Sequence, residues 1–252
     1  MSLSGKHALV TGGGTGIGLA IAQALAAAGA TVTITGRRAA ALEQAAADTQ
    51  GLHPLVMDVS VESSVRDGIA AAAARHGPVA ITVANAGIAE GGAFSRLSMA
   101  DWRRMTATNL DGAFVTIQAA LATLPRGHWG RVIAVSSIAG LRGLKGGIPY
   151  TVSKHGMIGL IRGLSEEYLG GPVTFNALCP GYVDTDIVRQ QVPQIAARRN
   201  VTAAAAETYL ATGNRHSRLL QVDEIAAAAL WLCAEGSRSV NGQCIQISGG
   251  QI

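Results

Sequence analysis

Short runs of apolar and β-branched residues alternate along the chain with longer segments in which Ala and Leu recur at helical spacing. We predict strands at seven of the short runs: His7 to Thr11, Thr31 to Thr35, Pro54 to Asp58, Val79 to Ala84, Arg131 to Ser136, Val173 to Leu178 and Cys244 to Ile247. We predict helices between them, at residues 16–28, 39–49, 62–75, 99–124, 150–169 and 222–234. Nearly continuous apolar strands separated by helices predict an α/β fold, a doubly wound parallel sheet of about seven strands with helices on both faces.

No repeat or low-complexity linker divides the 252 residues of the chain. We expect one domain over residues 1–252, because single α/β domains of this size are common. Between Asp184 and Leu220 the pattern is irregular over a stretch that is too long for an ordinary connection. Long insertions in compact domains often form lids or binding loops. We therefore predict a substrate lid at about residues 184–220.

Composition excludes several classes of protein. Hydrophobic residues make up 48% and charged residues 14% of the chain, which excludes a disordered or fibrous protein. The net charge is +4, but the basic residues are scattered and there are only 3 Trp, 4 Tyr and 3 Phe, so we expect no nucleic-acid partner. The uncharged stretch from His7 to Gly36 is interrupted by Thr and Gly, so we expect buried strands and a helix there and no membrane partner.

The three cysteines, Cys179, Cys233 and Cys244, lie far apart and show no metal-ligand spacing. We predict buried, reduced thiols in a cytoplasmic protein, and no metal site.

A glycine-rich segment follows the first predicted strand and leads directly into a helix. From Thr11 to Gly18 its sequence is TGGGTGIG. Such glycines permit a sharp turn and close approach to a pyrophosphate, which the N-terminus of the next helix attracts. A tight turn without a ligand is the alternative, but the strand before and the helix after are what a Rossmann-like dinucleotide site requires. The predicted contacts are Gly12, Gly14, Thr15, Gly16, Ile17 and Gly18.

The end of the second predicted strand indicates which dinucleotide is bound. Sites that prefer NAD usually place Asp or Glu there, whereas this chain has Gly36 followed by Arg37 and Arg38. A guanidinium group can pair with the 2′-phosphate of NADP, and no carboxylate is present to repel it. NADP(H) is therefore favoured over NAD(H), with a solvated, helix-capping pair of arginines as the alternative.

Tyr150 and Lys154 are four residues apart, on one face of a helix that Pro149 can help to start. A cation one turn away favours the phenolate, so we expect a lowered pKa for Tyr150 and proton exchange with a substrate oxygen near neutral pH. Taken alone, such a pair is more often a surface pair.

Together these motifs resemble those of the short-chain dehydrogenase/reductase family. The motifs in the family's order and spacing are the glycine loop, Asn85-Ala86-Gly87, Asn109, Ser137, Tyr150 with Lys154, Pro180-Gly181 and Thr185. The likeness extends from the first strand to Gly249-Gly250. It implies a Rossmann-like fold and hydride transfer between NADP(H) and a ketone or secondary alcohol.

The resemblance also implies a role for each of four catalytic residues. Tyr150 would be the general acid and base, and Lys154 would lower its pKa and hold the nicotinamide ribose. Ser137 would hydrogen-bond the substrate oxygen, while Asn109 would interrupt its helix and hold a water in a proton relay. The family's serine lies thirteen residues before its tyrosine, which selects Ser137 over Ser136.

Further cofactor contacts follow from the resemblance. Asp58 and Val59 would contact the adenine, Asn85, Ala86 and Gly87 would form the wall beside its ribose, and Thr185 would bond the carboxamide, with Pro180, Gly181 and Val183 nearby. Two positions depart from the family pattern. Thr15 stands where many NADP-preferring members carry a basic residue, which weakens the preference for NADP. Ala84 stands where many have a second Asn, which affects packing.

The substrate is the least determined feature. Apolar residues of the predicted lid and the loop before Tyr150 indicate an apolar pocket, unless they pack onto the domain: Leu141, Leu144, Ile148, Ile187, Val188, Val192 and Tyr209. Basic residues of the same region either bind thioester phosphates or are solvated: Arg142, Lys145, Arg189, Arg198 and Arg199. We favour a 3-oxoacyl/3-hydroxyacyl thioester. The alternatives are a dehydrogenase of a small or cyclic secondary alcohol and a dinucleotide-binding sensor without catalysis.

Two further expectations concern the lid and assembly. Asp184 and Asp186 at the start of the lid are expected to make capping or loop hydrogen bonds instead of binding a metal. The family resemblance implies a homotetramer, assembled through the helices near 99–124 and 150–169 and the C-terminal segment.

Overall fold

The structure, a computed structural model, describes residues 1–250, except for the side chain of Arg198. Its strands are β1 (His7–Thr11), β2 (Thr31–Gly36), β3 (Leu52–Val56), β4 (Val79–Ala84), β5 (Gly130–Val135), β6 (Val173–Pro180) and β7 (Cys244–Ile247). They form one sheet in the order β3-β2-β1-β4-β5-β6-β7, in which every neighbouring pair is parallel. The predicted doubly wound, seven-stranded parallel sheet is confirmed.

Helices cover both faces of this sheet. They are α1 (Gly16–Ala27), α2 (Ala39–Asp48), α3 (Glu62–His76), α4 (Met99–Thr106), α5 (Gly112–Thr123), α6 (Ile148–Glu167), α7 (Asp186–Arg189), α8 (Val192–Arg199), α9 (Ala203–Ala211) and α10 (Val222–Leu232). Successive β1 residues show the two faces, because Ala8 and Val10 pack with α1, α2 and α10, whereas Leu9 packs with α3 and α5. Side chains that alternate in this way explain why β1 is apolar throughout.

The predicted bounds of most elements agree with the structure within two residues at each end. The predicted helix over 99–124 is interrupted, because a π-helical turn over Ala107–Asp111 separates α4 from α5. The segment 184–220, whose sequence pattern is irregular, contains α7, α8 and α9, and its role as a substrate lid stays a prediction. Thr202 starts α9 by accepting a hydrogen bond from Ala205 N at 3.2 Å, and Asn200 ends α8 with a left-handed φ of 53°.

The strand order reverses between β1 and β4: β2 and β3 follow on the side of β1, and β5, β6 and β7 follow on the side of β4. A crevice forms at such a point beyond the carboxyl ends of the strands, where α/β proteins bind ligands. The glycine loop after β1 and the Asn85 segment after β4 are therefore brought to the same crevice.

Candidate active site

A cleft of about 500 Å³ lies at this crevice, and most of the predicted cofactor residues line it. Those that do are Gly12, Gly14, Thr15, Gly16, Ile17, Arg37, Arg38, Asp58, Val59, Asn85, Ala86, Gly87, Tyr150, Lys154 and Thr185. The lining does not include Gly18, Pro180, Gly181 or Val183, nor the predicted catalytic residues Asn109 and Ser137. A cleft of this volume is large enough for a small-molecule ligand.

The glycine loop is shaped by close backbone approach. Gly12 has a φ of +64°, and a Cβ atom at Gly18 would lie 2.3 Å from the carbonyl oxygen of Gly12. Gly18 thus packs the start of α1 against the loop instead of lining the cleft. The Thr15 side chain makes no capping hydrogen bond, so it leaves the first N–H groups of α1 available to an anion. The residues present therefore fit the pyrophosphate of a dinucleotide.

A hydrogen-bonded clip joins this loop to the end of β4. The Thr11 hydroxyl accepts hydrogen bonds from Asn85 N and Ala86 N, each at 3.0 Å. The Asn85 side chain in turn donates from Nδ2 to the carbonyl oxygen of Thr11 at 2.9 Å. The Asn85 amide therefore holds the loop in place, while the residue also forms part of the cleft wall.

Arg37, Arg38 and Asp58 lie together at one end of the cleft. Arg38 Nη2 donates to the Thr15 hydroxyl at 3.4 Å, and Asp58 Oδ1 accepts from Ser60 N at 2.9 Å and Ser60 Oγ at 2.7 Å. Burial raises the pKa of Asp58, but the Ser60 hydrogen bonds and the charge of Arg37 outweigh it, so the pKa lies below its usual value. Within the described part of the chain, neither Arg37 nor Arg38 forms a salt bridge with an N–O distance of 4.0 Å or less.

Tyr150 and Lys154 line another part of the cleft, and Ser137 meets Tyr150 just outside the lining. Pro149 lies in the first turn of α6, and this helix places Tyr150 and Lys154 on the same side. The Ser137 side chain hydrogen-bonds that of Tyr150, and Lys154 Nζ lies 5.7 Å from the centroid of the Tyr150 ring. Lys154 Nζ also donates to the carbonyl oxygen of Val135 at 2.8 Å. Three of the four predicted catalytic side chains are thus brought together.

The two neighbouring serines have different partners. The Ser136 hydroxyl donates to the backbone carbonyl of Lys154 at 3.1 Å and so ties β5 to α6. The Ser137 hydroxyl accepts from Ala139 N at 3.1 Å and bonds the phenol of Tyr150. Ser137 is thus the serine that bonds Tyr150, whereas Ser136 lines the cleft, and the contact of Ser137 with substrate stays a prediction.

Burial dominates the acid–base properties of the site. It raises the pKa of Tyr150, because the Ser137 hydrogen bond offsets only part of the desolvation of the phenolate. It lowers the pKa of Lys154 to about 8. The predicted lowering of the Tyr150 pKa is therefore wrong for the protein by itself: the lysine is buried with the tyrosine, and its ammonium is bonded to a carbonyl of β5.

Asn109 lies in the π-helical turn between α4 and α5, where the resemblance placed an interruption. Its Nδ2 donates to the Ile88 carbonyl at 2.9 Å, and its Oδ1 accepts from Ile88 N at 2.8 Å. Nδ2 also donates to Ser153 Oγ at 3.2 Å. Asn109 therefore connects the segment after β4 with α6. Its role in a proton relay stays a prediction, although π-helical turns are frequent at functional sites.

The lid begins beside the glycine loop, since a Cβ atom at Gly16 would lie 3.4 Å from Thr185 Cγ2. Asp184 forms an ion pair with Arg189 at 2.9 Å, and Asp186 lies in the first turn of α7. No group of three or more His, Cys, Asp or Glu side chains within residues 1–250 is arranged to hold a metal ion. These positions agree with loop and helix-end roles for the two aspartates.

The predicted lid arginines differ in their surroundings. Arg189 has Asp184 as its partner, and the guanidinium carbon of Arg199 lies 3.6 Å from the centroid of the Tyr209 ring. Arg142 and Lys145 are exposed in the loop before α6, and the side chain of Arg198 lies outside the described residues. Contact between any of these residues and a substrate phosphate stays a prediction.

The apolar lid residues also divide into two groups. Val188 is buried in a lid cluster with Ile195, Ala206 and Leu210, so it packs within the lid. Ile187, by contrast, lines the cleft. Val188 therefore follows the alternative interpretation, in which the apolar side chains pack onto the protein instead of lining a substrate pocket.

Several cleft residues were not among the predicted cofactor contacts. The lining also contains Thr35, Gly36, Ala41, Leu42, Met57, Ile88, Ala89, Thr108, Val135, Ser136, Asp186, Ile187 and Gln190. Many of these residues directly flank a predicted motif, as Ile88 follows Asn85-Ala86-Gly87. They would have been predicted if each motif had been extended by two residues in both directions. Gln190 carries no such signal, because the folding of the lid brings it to the cleft.

The chain is similar to known proteins over most of its length. Residues 6–196 match the family model described as short chain dehydrogenase. Acetoacetyl-CoA reductase of Rhizobium meliloti is 34% identical over 214 residues, which cover 85% of this chain and 83% of that protein. The 3-oxoacyl-[acyl-carrier-protein] reductase of Aquifex aeolicus is 32% identical over 218 residues, 86% of this chain and 84% of that protein. A crystal structure of a variant actinorhodin polyketide ketoreductase with NADPH has a TM-score of 0.95 at 30% identity, covering 100% of this chain and 99% of that chain.

Within residues 1–250, no helix combines the length and the apolar character that a membrane crossing requires.

Proposed function

Because the chain belongs to the short chain dehydrogenase family, we propose that it reduces 3-oxoacyl thioesters to 3-hydroxyacyl thioesters with NADPH. The predicted family is confirmed, and the chain is an oxidoreductase of ketones and secondary alcohols that uses a nicotinamide dinucleotide. The observation that carries the proposal is one cleft lined by the glycine loop before α1 and by Tyr150 and Lys154, with the Ser137 side chain hydrogen-bonded to Tyr150. An enzyme is therefore favoured over a sensor without catalysis.

The chemistry proposed for these residues is proton transfer coupled to hydride transfer. A nicotinamide held in the cleft would supply the hydride for the carbonyl carbon, and Tyr150 donates its phenolic proton to the carbonyl oxygen. Ser137 hydrogen-bonds the same oxygen and stabilises the negative charge that develops there. Lys154 supplies positive charge behind the phenol, and a solvent proton restores Tyr150 after turnover. The balance is ketone, NADPH and one proton to alcohol and NADP⁺.

Burial raises the pKa of Tyr150, so the phenol keeps the proton that reduction of a ketone requires.

NADP(H) is the proposed cofactor, supported by Arg37 and Arg38 at the end of the cleft. Replacing both residues with Ala should raise the Kd of NADPH about 10- to 100-fold and change that of NADH by less than about threefold, since only NADPH carries the 2′-phosphate. Fluorescence titration with each nucleotide measures both constants. Arg126→Ala is the matched control, because Arg126 is exposed and remote from the cleft. Equal losses for the two nucleotides would instead assign the pair a nonspecific role.

Turnover of two ketones tests the proposed substrate. With NADPH, we expect kcat/KM for acetoacetyl-CoA to exceed that for cyclohexanone at least about 100-fold, because only the thioester engages the basic residues and a second carbonyl. Initial rates of NADPH oxidation measure both. A preference for cyclohexanone would favour the alternative, a dehydrogenase of small or cyclic alcohols. Tight NADPH binding without turnover of any ketone would favour the sensor.

Three further features are proposed on the same basis. One catalytic domain is supported by the single sheet that extends from His7 to Ile247. A homotetramer is supported by apolar side chains on α5 and α6, since Phe114 is 47% and Val152 is 41% exposed in the single chain. A cytoplasmic location is supported by three cysteines that form no disulfide.

A further inference from the structure

Three of the six histidines of the chain lie together at the amino-terminal ends of the strands, on the side of the sheet away from the cleft. His7 is the first residue of β1, His53 lies in β3, and His76 is the last residue of α3. The ring centroid of His76 is 4.2 Å from that of His53 and 5.5 Å from that of His7. We call these three residues the histidine cluster. It joins two strands and a helix end that are far apart in the sequence.

His7 is the buried member of the histidine cluster, with a relative exposure of 2%. Its Nδ1 lies 2.8 Å from the carbonyl oxygen of Gly77 and donates to it, because a carbonyl can only accept. In the neutral ring Nε2 is then an acceptor, and it lies 2.9 Å from the hydroxyl of Thr33 in β2. The neutral ring thus satisfies both of its nitrogens and connects β1 with β2 and with the end of α3.

The titratable and charged groups that face the histidine cluster are all bases. His76 and His53 act electrostatically on His7. His53 and Arg75 act electrostatically on His76. The ammonium of Lys6, next to His7 in the chain, lies 4.9 Å from the centroid of a tryptophan ring, and the adjoining core between the sheet, α3 and α5 is apolar. Within residues 1–250, no Asp or Glu forms an ion pair with any of the three rings, so a proton added here meets like charge without a carboxylate partner.

These surroundings oppose protonation of the folded protein. Burial lowers the pKa of His7 below its ordinary 6.5, the Gly77 hydrogen bond offsets only part of this effect, and the other two rings lower the pKa further. Burial, His53 and Arg75 likewise lower the pKa of His76. As the pH falls through 6.5, the unfolded chain therefore binds protons that the folded protein does not yet bind. Acid thus removes stability from the part of the fold that the cluster joins.

The strands that meet at the histidine cluster lead to the dinucleotide cleft at their other ends. β1 leads into the glycine loop at Gly12, β2 ends at Gly36, and β3 is followed by Asp58. These three residues all line the cleft. The cluster therefore lies at one end of the half-sheet β3-β2-β1, and the cofactor contacts of that half-sheet lie at the other.

We propose that the histidine cluster is a pH-sensitive lock, which holds β1, β2, β3 and the end of α3 together while its rings are neutral and releases them when they are protonated. No group of three or more His, Cys, Asp or Glu side chains in the described chain is arranged to hold a metal ion, so we assign the cluster to protons. The inference is independent of the proposed substrate. Mild acid should loosen this half of the sheet before the half formed by β5 and β6.

Thermal unfolding of the variant His76→Phe tests the lock, because Phe keeps a ring in the stack and removes its charge. The Tm of the variant minus that of the wild type should become more positive by about 3 to 6 °C between pH 7.5 and pH 5.0. Differential scanning fluorimetry without cofactor, at constant ionic strength, measures this difference. His128→Phe makes the same change in the exposed segment before β5, and its Tm difference should vary with pH by less than about 1 °C. A Tm difference for His76→Phe that is independent of pH, or that becomes more negative in acid, would overturn the inference.

Hydrogen exchange followed by mass spectrometry locates the release. Between pH 7.5 and pH 5.0, wild-type protection corrected for the intrinsic exchange rate should fall at least about fivefold more in β2, β3 and the end of α3 than in β5 and β6. His53→Phe and His76→Phe should each reduce this contrast. The wild-type measurement decides the question even if a variant does not fold, since a loss of protection that is uniform over the sheet would refute the lock.

Discussion

Replacing Tyr150 with Phe should lower kcat for a 3-oxoacyl thioester by about a thousandfold or more while the Kd of NADPH changes less than about threefold. The phenol is the proposed proton donor to the substrate oxygen. The Ser137 hydroxyl that bonds it is a much weaker acid, and the Lys154 ammonium donates to the Val135 carbonyl instead. The Phe ring keeps the packing of α6 against β5, so the cleft should keep its shape. Single-turnover kinetics with preloaded NADPH separates the chemical step from cofactor binding.

The matched control for this variant is Tyr168→Phe. Tyr168 is 38% exposed at the end of α6 and packs on Phe175, with ring centroids 5.1 Å apart. The control should keep wild-type turnover. Substantial turnover by Tyr150→Phe would contradict the assignment of Tyr150 and would direct attention to Ser137 or a bound water as the proton donor.

The sequence predicts much of the framework because its signals are local. The apolar pattern of β1 reflects burial on both faces, and the glycines after it reflect a backbone approach that Gly18 shows directly. The spacing of Tyr150 and Lys154 is a helical spacing, and a helix brings them together. Residues joined by a single element, or by the shared edge of a parallel sheet, are therefore predictable without the structure.

Properties that arise from contacts between distant segments are less accessible. The direction of the Tyr150 pKa shift follows from burial under several elements, which the position of Lys154 does not reveal. Likewise, the hydrogen bonds that hold the backbone of Tyr182 come from Asn214, about thirty residues later in a segment that the pattern describes only as irregular. The pair Ser136 and Ser137 is intermediate, because family spacing distinguishes the two residues and the structure supplies the physical difference between them.

Replacing Lys154 with Met should stabilise the protein at pH 7 while it lowers turnover about 100-fold or more. Lys154 is 4% exposed, and burial lowers its pKa from an ordinary 10.5 to about 8. This shift corresponds to a folding cost on the order of 3 kcal/mol for the charged form. Loss of the hydrogen bond to the Val135 carbonyl offsets part of the gain, so we expect a net rise of about 1 to 2 kcal/mol in the free energy of unfolding and of a few degrees in Tm.

The pH dependence of this gain distinguishes desolvation from other causes. Below pH 8 the lysine is charged in both the folded and unfolded states, and the full cost is present. Between about pH 8 and 10.5 the unfolded chain still binds the proton that the folded protein has released, so wild-type stability contributed by this group rises with pH. The Tm difference between Lys154→Met and wild type should therefore be largest below pH 8 and shrink toward pH 10, whereas Lys145→Met, at an exposed position, should show no such trend. A lower Tm for Lys154→Met at every pH would mean that the bonds of the ammonium outweigh its desolvation, and that this catalytic group is also a structural one.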